Sequence, residues 1–128
     1  MIIEHRTHLP ATVESVGLAR AFVSDALRHD RYTGAIPPVL LLTSELVSNA
    51  VVHVGRAFEL VVEGSGDSVR VDVIDAGGET QPAVMHPEPD EIGGRGLQMV
   101  ERVASHWGVD EGPGDHRTVW FSCDEERP

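Results

Sequence analysis

Hydrophobic positions in the first half of the chain repeat at helical spacing in two stretches. After a short strand candidate at 2–9, the first stretch runs from Thr12, which fits a helix N-cap, to about His29. The second stretch begins at Pro37, a residue type that suits the first turn of a helix, and continues to about Val54. The pattern therefore predicts one strand followed by two helices.

In the second half the apolar period changes to two, which indicates β-strands. Alternating residues predict strands at 58–62 and 69–73, joined by a hairpin, and two last strands at 106–111 and 117–122. Hairpins next to helices, without regular βαβ alternation, predict an α+β fold of the two-layer sandwich type. No repeat or linker divides the sequence, so a single domain is expected over 1–128.

A long segment without periodicity, 77–94, separates the two pairs of strands. It contains four Gly and three Pro, and a loop of this length inside a compact domain is usually functional, often a lid. A third helix is predicted to begin at Gly94-Arg95-Gly96. Glycines at a helix start let backbone amides approach phosphate oxygens, and Arg95 could add a forked contact to phosphate. Taken alone, the cluster also fits a flexible loop that ends in a helix.

Charge and composition exclude several classes of function. The net charge of −11 argues against binding to a nucleic-acid backbone. The apolar runs are expected to be too short to span a membrane, and the first residues lack the features of a signal peptide. A single cysteine, Cys123, excludes an internal disulfide framework, so a cytoplasmic location is expected. The seven histidines show no zinc-binding spacing, and the nearest pair, His5 and His8, is interpreted as surface decoration of a strand.

The second predicted helix carries polar residues at steps of four within an apolar run. Four residues advance only about 40° around a helix, so Glu45 and Asn49 share a face and His53 lies at its edge. Large aliphatic side chains project close to Glu45, and these are Leu41, Leu42 and Val52. The arrangement favours a partly buried pocket wall, although a plain amphipathic helix with a solvated polar stripe remains an alternative.

The chemistry of these side chains suits a nucleotide site. The carboxylate of Glu45 could accept a proton from an attacking hydroxyl group, and the amide oxygen of Asn49 is a hard ligand suited to Mg²⁺. Asp75 ends an apolar strand and could accept a hydrogen bond from the exocyclic amine of adenine, although an Asp before a turn is also common. Thr118 begins the last strand and by itself indicates nothing.

The order of these motifs resembles the ATP-binding domain of the GHKL superfamily, which has the Bergerat or histidine kinase-like ATPase fold. TSELVSNAVVH is similar to the N box of that family, VIDAGG to its first glycine box and GGRGLQMVERVASHWGV to its second. RTVWF is similar to the closing strand, which carries a Thr. The resemblance covers essentially the whole chain. It is strongest to the bacterial anti-sigma factors of the serine/threonine-protein kinase type.

This resemblance implies a mixed, mainly antiparallel sheet covered by three helices, with an ATP lid at about 77–95. Glu45 would be the catalytic base, Asn49 the Mg²⁺ ligand and Asp75 the residue that recognises adenine. The remaining ATP-binding residues would be His53, Gly77, Gly94, Arg95, Gly96, Leu97 and Thr118. ATP and Mg²⁺ are the implied cofactors. The implied partners are a serine-bearing anti-sigma factor antagonist and a sigma factor, and family resemblance suggests a homodimer.

One departure from the family pattern bears on activity. The first glycine box often reads Asp-x-Gly-x-Gly, whereas here Glu79 stands at the position of the last glycine. The alternative function is therefore a binding module that sequesters a partner without kinase activity, with or without nucleotide. A histidine kinase catalytic half is less expected, because no helical hairpin with an acceptor histidine precedes the domain. A gyrase-like ATPase is disfavoured by the acidic charge and the missing transducer domain.

Overall fold

The computed structural model of the protein describes residues 3–75, 103–112 and 116–124. The predicted lid and nearly all of the predicted third helix lie outside these ranges, as do Gly77, Gly94, Arg95, Gly96 and Leu97. The described elements, in chain order, are β1 (Ile3–Leu9), α1 (Glu14–His29), α2 (Ile36–Asn49), a π-helical turn (Ala50–Val54), β2 (Phe58–Ser65), β3 (Ser68–Asp75), β4 (His106–Glu111) and β5 (Arg117–Asp124). Every element predicted within the described ranges is present.

The five described strands form one sheet in the order β1-β2-β3-β5-β4. All four pairings are antiparallel, so the mixed pairing expected from the sequence does not occur among these strands. Strands β2 and β3 are longer than predicted and leave only Gly66 and Asp67 as the hairpin loop. Gly66 adopts a positive φ of 64°, which a tight two-residue turn requires and a glycine accepts without strain.

The helices α1 and α2 pack on one face of the sheet, which gives the predicted two-layer sandwich. α1 contacts β1 and β2, whereas α2 contacts β3 and β5. Alternate residues of each central strand point toward the helices and fill the core, among them Leu60, Val62, Val71, Val73 and Phe121. Removing these apolar side chains from water stabilises the sandwich.

The start of α1 differs in detail from the prediction. The N-cap position is Val13 rather than Thr12, and no side chain caps the helix. The Thr12 hydroxyl lies 3.3 Å from the hydroxyl of Ser15, which itself donates a hydrogen bond to the Pro10 carbonyl at 2.6 Å. Thr12 therefore ties the entry turn through side-chain contacts instead of satisfying a backbone amide.

The helical segment from Ile36 to Val54 is the central element of the core. By length and composition alone it could cross a membrane, with a mean hydropathy of 1.3, which differs from the expectation that no segment is long enough. Its most apolar face, however, is completely covered within the domain, where Val39, Leu42 and Val47 are each 0% exposed. Packing on the sheet accounts for the apolar character of this segment.

Candidate functional site

Glu45 and Asn49 lie one turn apart near the C-terminal end of α2. Both side chains are half-buried. They lie between the packing face of the helix, which includes the buried Leu46 and Ala50, and its solvent-facing side. Burial raises the pKa of the Glu45 carboxyl above its usual value, because a partly buried site disfavours the charged form. A carboxylate with a raised pKa is a stronger proton acceptor, which suits the role of a general base.

The aliphatic rim predicted around Glu45 is only partly present. Leu42 points into the core and is 0% exposed, so it belongs to the packing face of α2 and not to a pocket wall. Leu41 and Val52 do flank the polar face, and they remain 42% and 66% exposed. Leu18 of α1 is exposed to a similar degree, at 54%, so exposed aliphatic side chains are not confined to this face.

A π-helical turn follows directly after Asn49 and carries His53. The turn ends with a hydrogen bond from the amide of Gly55 to the carbonyl of Ala50, at 2.9 Å, and Gly55 has the left-handed φ of 71° typical of a glycine that ends a helix. A π turn holds more residues than an α turn, so the rotation per residue is smaller. His53 therefore does not lie where a uniform α-helical angle places it relative to Asn49. Such turns occur frequently at functional sites.

Asp75 ends β3 and is buried opposite Arg117, the first residue of β5. The Arg117 Nη2 atom lies 3.4 Å from the Asp75 Oδ1 atom, and the two side chains are 5% and 2% exposed. Both residues occupy register positions that point toward the helix layer, as the buried neighbours Val73 and Val119 do. The sequence alone does not show that Arg117 contacts Asp75, because only the strand register reveals which residue of β5 faces it.

Thr118 follows directly after the residue that faces Asp75. It pairs with Ile74 of β3 and with Asp110 of β4. Side chains alternate between the two faces of a strand, so Thr118 points away from the helices while its neighbour Arg117 points toward them. Arg117, and not Thr118, therefore lies directly opposite Asp75. The role of Thr118 beside a bound base stays a prediction.

A shallow cleft of about 220 Å³ opens at this end of the sheet. Asp75, Ile74 and Phe58 contribute to its lining, together with His8 and His116. Within the described part of the chain, no residue of α2 lines this cleft, so Glu45 and Asn49 are not joined to it by described residues. The contacts predicted for Gly77 and for the segment 94–97 lie outside the described ranges and stay predictions.

The described residues fit a magnesium nucleotide in part. Glu45 and Asn49 place a carboxylate and an amide on one helix face, and oxygen donors of these types are those that Mg²⁺ prefers. The fit is less direct at Asp75. The guanidinium group of Arg117 already contacts the carboxylate that the amine of adenine would need, so a bound base would have to share that carboxylate with Arg117.

The comparisons with known proteins agree with this architecture. Residues 9–122 match the family described as the histidine kinase-like ATPase domain. The chain therefore belongs to that family, and its antiparallel sheet with helices on one face has the family's α+β fold. A search of curated protein sequences finds no significant match.

A solved structure adds a more particular likeness. The chain is similar to the crystal structure of the RsbU and RsbW domains of Rv1364c from Mycobacterium tuberculosis, with a TM-score of 0.62 and 25% sequence identity. The match covers 97% of this chain and 33% of that one, so the protein spans about a third of the length of its structural relative.

Proposed function

We propose that this protein is an ATP- and Mg²⁺-dependent protein serine/threonine kinase that acts as an anti-sigma factor by partner switching. The observation that supports it most is the half-buried Glu45, whose pKa is raised, one turn before Asn49 in a histidine kinase-like ATPase domain. The likeness to a structure that contains an RsbW domain favours the anti-sigma branch over other members of the family.

In this proposal Glu45, Asn49 and His53 each have one task. Glu45 accepts the proton of the serine hydroxyl group that attacks the γ-phosphate, and its raised pKa favours that transfer. Asn49 would hold Mg²⁺ through its amide oxygen, and the ion would neutralise charge on the phosphates. His53, on the π turn that follows Asn49, would shape the adjoining wall. Phosphoryl transfer depends mainly on positioning and charge neutralisation, which such a helix face can provide.

The proposed partners follow from the same family assignment. One is a small serine-bearing antagonist of anti-sigma factors, which the kinase phosphorylates, and the other is a sigma factor, which the kinase sequesters. A cytoplasmic location and a homodimeric state belong to the proposal as well.

A second candidate function is a binding module without kinase activity. The Asp75–Arg117 ion pair favours it, because the arginine competes with adenine for the carboxylate. Glu79, at a usual glycine position of the sequence motif, points in the same direction. In this reading the domain sequesters its partner and binds nucleotide weakly or not at all.

Calorimetric titration with Mg-ATP separates the two candidates. The kinase proposal requires saturable binding by the wild-type protein and by Glu45→Ala, since Glu45 acts on the transferred proton and not on affinity. Absence of measurable binding would favour the module. The Glu45→Ala variant should then fail to phosphorylate a serine-bearing partner that the wild-type protein phosphorylates, and undiminished transfer would remove Glu45 as the base.

The partners can be identified by pull-down from the native cell with and without ATP. Recovery of a small serine-bearing domain in one nucleotide state and of a sigma factor in the other supports partner switching. Recovery of the same protein in both states contradicts it.

A further inference from the structure

Three side chains that could ligate a metal meet at the end of the molecule remote from Asp75. The His5 Nε2 atom lies 3.0 Å from the Asp30 Oδ1 atom and 3.1 Å from its Oδ2 atom, and the His29 Nδ1 atom lies 3.1 Å from Oδ1. The three ligand atoms all lie within 4.8 Å of one another. The residues come from β1, from the last turn of α1 and from the position that ends α1.

We propose that His5, His29 and Asp30 form a binding site for a divalent transition-metal ion such as Zn²⁺. Two imidazole nitrogens and one carboxylate oxygen are ligands that zinc commonly takes, and three protein ligands leave a position for water. At the usual zinc–ligand distances of about 2.0–2.2 Å, neighbouring ligand atoms of a tetrahedron are roughly 3.3 Å apart. The contacts of 3.0 and 3.1 Å are close to that spacing, so small side-chain movements suffice to admit the ion.

The carboxylate at the centre of this site is held rigidly. The Asp30 side chain is only 5% exposed, and its backbone amide donates to the carbonyl of Ala26 at 3.0 Å. Gly64 on β2 makes room for it, because a Cβ atom there would lie 3.3 Å from Asp30 Oδ2. The next residue, Arg31, adopts a left-handed φ of 57°, and the amides of Arg31 and Tyr32 close the helix end. Asp30 is thus fixed before any ion binds.

The charges around the Asp30 carboxylate also favour a bound cation. A carboxylate at the C-terminus of a helix faces the negative end of the helix dipole, which disfavours it. The Asp30 side chain is nevertheless almost completely buried, and it forms hydrogen bonds with the imidazole nitrogens of His5 and His29. An ion held by all three groups would neutralise this charge.

The ligand set distinguishes this site from the one proposed for nucleotide. Mg²⁺ prefers oxygen ligands only, whereas imidazole selects zinc and its neighbours in the first transition row. The two sites are also far apart. Asp75 pairs with Phe58, and Phe58 pairs with Leu9. His5 lies four residues before Leu9 on β1, which is about 13 Å along the strand. The proposal is therefore independent of the proposed kinase function.

The test titrates the full metal-free chain with ZnCl₂ by calorimetry, and with Co²⁺ by visible absorption. The wild-type protein should bind one equivalent, show the absorption of nitrogen- and oxygen-ligated Co²⁺ and gain thermal stability with Zn²⁺. MgCl₂ at the same concentration should give none of these changes. His29→Asn should abolish saturable binding, and this variant should fold, because the His29 side chain is 71% exposed. His5→Asn should weaken binding in the same way.

A matched control lies on the same strand as His5. His8 points to the other face of the sheet, is 81% exposed and has Glu59 as its nearest carboxylate, at 3.9 Å. His8→Asn should bind Zn²⁺ as the wild-type protein does. The proposal is overturned if the wild-type protein does not bind Zn²⁺, if His29→Asn binds as tightly as wild type, or if His8→Asn loses binding to the same degree.

Discussion

Asp75 and Arg117 form a buried ion pair across β3 and β5, with Nη2 and Oδ1 3.4 Å apart. The pair lies at the sheet end where the first glycine box begins, so it links core stability to the candidate nucleotide site. Both residues face the helix layer and are almost completely buried. We therefore expect the two charges to interact strongly, so that removal of either one destabilises the protein.

We expect Asp75→Asn to destabilise the protein by roughly 3–5 kcal/mol, because it leaves the arginine buried without its carboxylate. Replacing both residues, as Asp75→Asn with Arg117→Gln, should recover part of that loss. Urea unfolding of the two single variants and the double variant gives the coupling energy. A coupling energy near zero would show that the two charges do not stabilise each other.

The matched control for this prediction is Asp72→Asn on the same strand. Asp72 also pairs with an arginine, since Arg70 Nε lies 2.7 Å from its Oδ1 atom, but this pair faces outward and the Arg70 side chain is 39% exposed. Burial raises the pKa of Asp72 even though Arg70 opposes the shift, so its charge is costly to keep. Asp72→Asn should therefore change the free energy of unfolding by no more than about 1 kcal/mol.

Glu45 should make the protein less stable when it is ionised. Its pKa is raised in the folded state, so the folded protein binds the proton more tightly than the unfolded chain does. The free energy of unfolding therefore rises as the pH falls through that raised pKa. At pH 7, Glu45→Gln removes a partly buried charge and should stabilise the protein by less than about 1 kcal/mol, since solvent screens a half-buried group. The gain should vanish in acid.

Thermal unfolding of Glu45→Gln and the wild-type protein between pH 4 and pH 8 measures this difference. Ser48→Ala, at a half-buried position on the same helix, should show no such dependence on pH. A Glu45→Gln variant that is less stable than wild type at pH 7 would indicate that the carboxylate makes favourable contacts which outweigh its burial.

Periodicity was sufficient to predict the described elements, because each helix and strand carries a clear apolar face. It could not predict register, so the sequence did not show that Arg117 lies opposite Asp75. One residue of slip moves a side chain to the other face of the sheet. The π turn after Asn49 likewise shifts His53 in a way that a uniform helical angle does not predict.

Contacts between distant segments were also beyond the sequence pattern. In the sequence, the histidine nearest to His5 is His8 on the same strand. The fold instead brings His5 into contact with Asp30, 25 residues away. Such a cluster depends on how α1 packs against β1. The glycines and the carboxylate of the nucleotide motif were recognisable because they are local in sequence and resemble a known family.

Two glycines of the helical segments should respond oppositely to substitution by alanine. Gly17 lies inside α1, and a Cβ atom there meets nothing within 4 Å, so Gly17→Ala should stabilise the protein by about 0.5–1 kcal/mol. Gly55 has a φ of 71°, and Gly55→Ala should destabilise by about 1–2 kcal/mol because a side chain strains that conformation. Urea unfolding of both variants checks the signs, and equal effects would contradict the backbone argument.

Gly108 on β4 should be intolerant of even one added carbon. A Cβ atom there would lie 3.0 Å from Nε1 of Trp120 and 3.1 Å from its Cε2 atom, while the guanidinium carbon of Arg70 lies 4.2 Å from the centre of the same ring. The ring must move to admit the methyl group, which disturbs its contact with Arg70. We expect Gly108→Ala to cost about 1–3 kcal/mol, as overpacking usually does.

The measurement for Gly108→Ala is urea unfolding combined with fluorescence of Trp120 in a Trp107→Phe background, which leaves a single tryptophan to report. Gly112→Ala is the matched control in the turn that follows β4, because its Cβ atom would lie 3.8 Å from the Cβ atom of His116, an ordinary contact. Unchanged stability and emission in Gly108→Ala would show that the ring is not held against the β4 backbone. If only Gly108→Ala loses stability, the Trp120 ring requires a residue without a side chain at position 108.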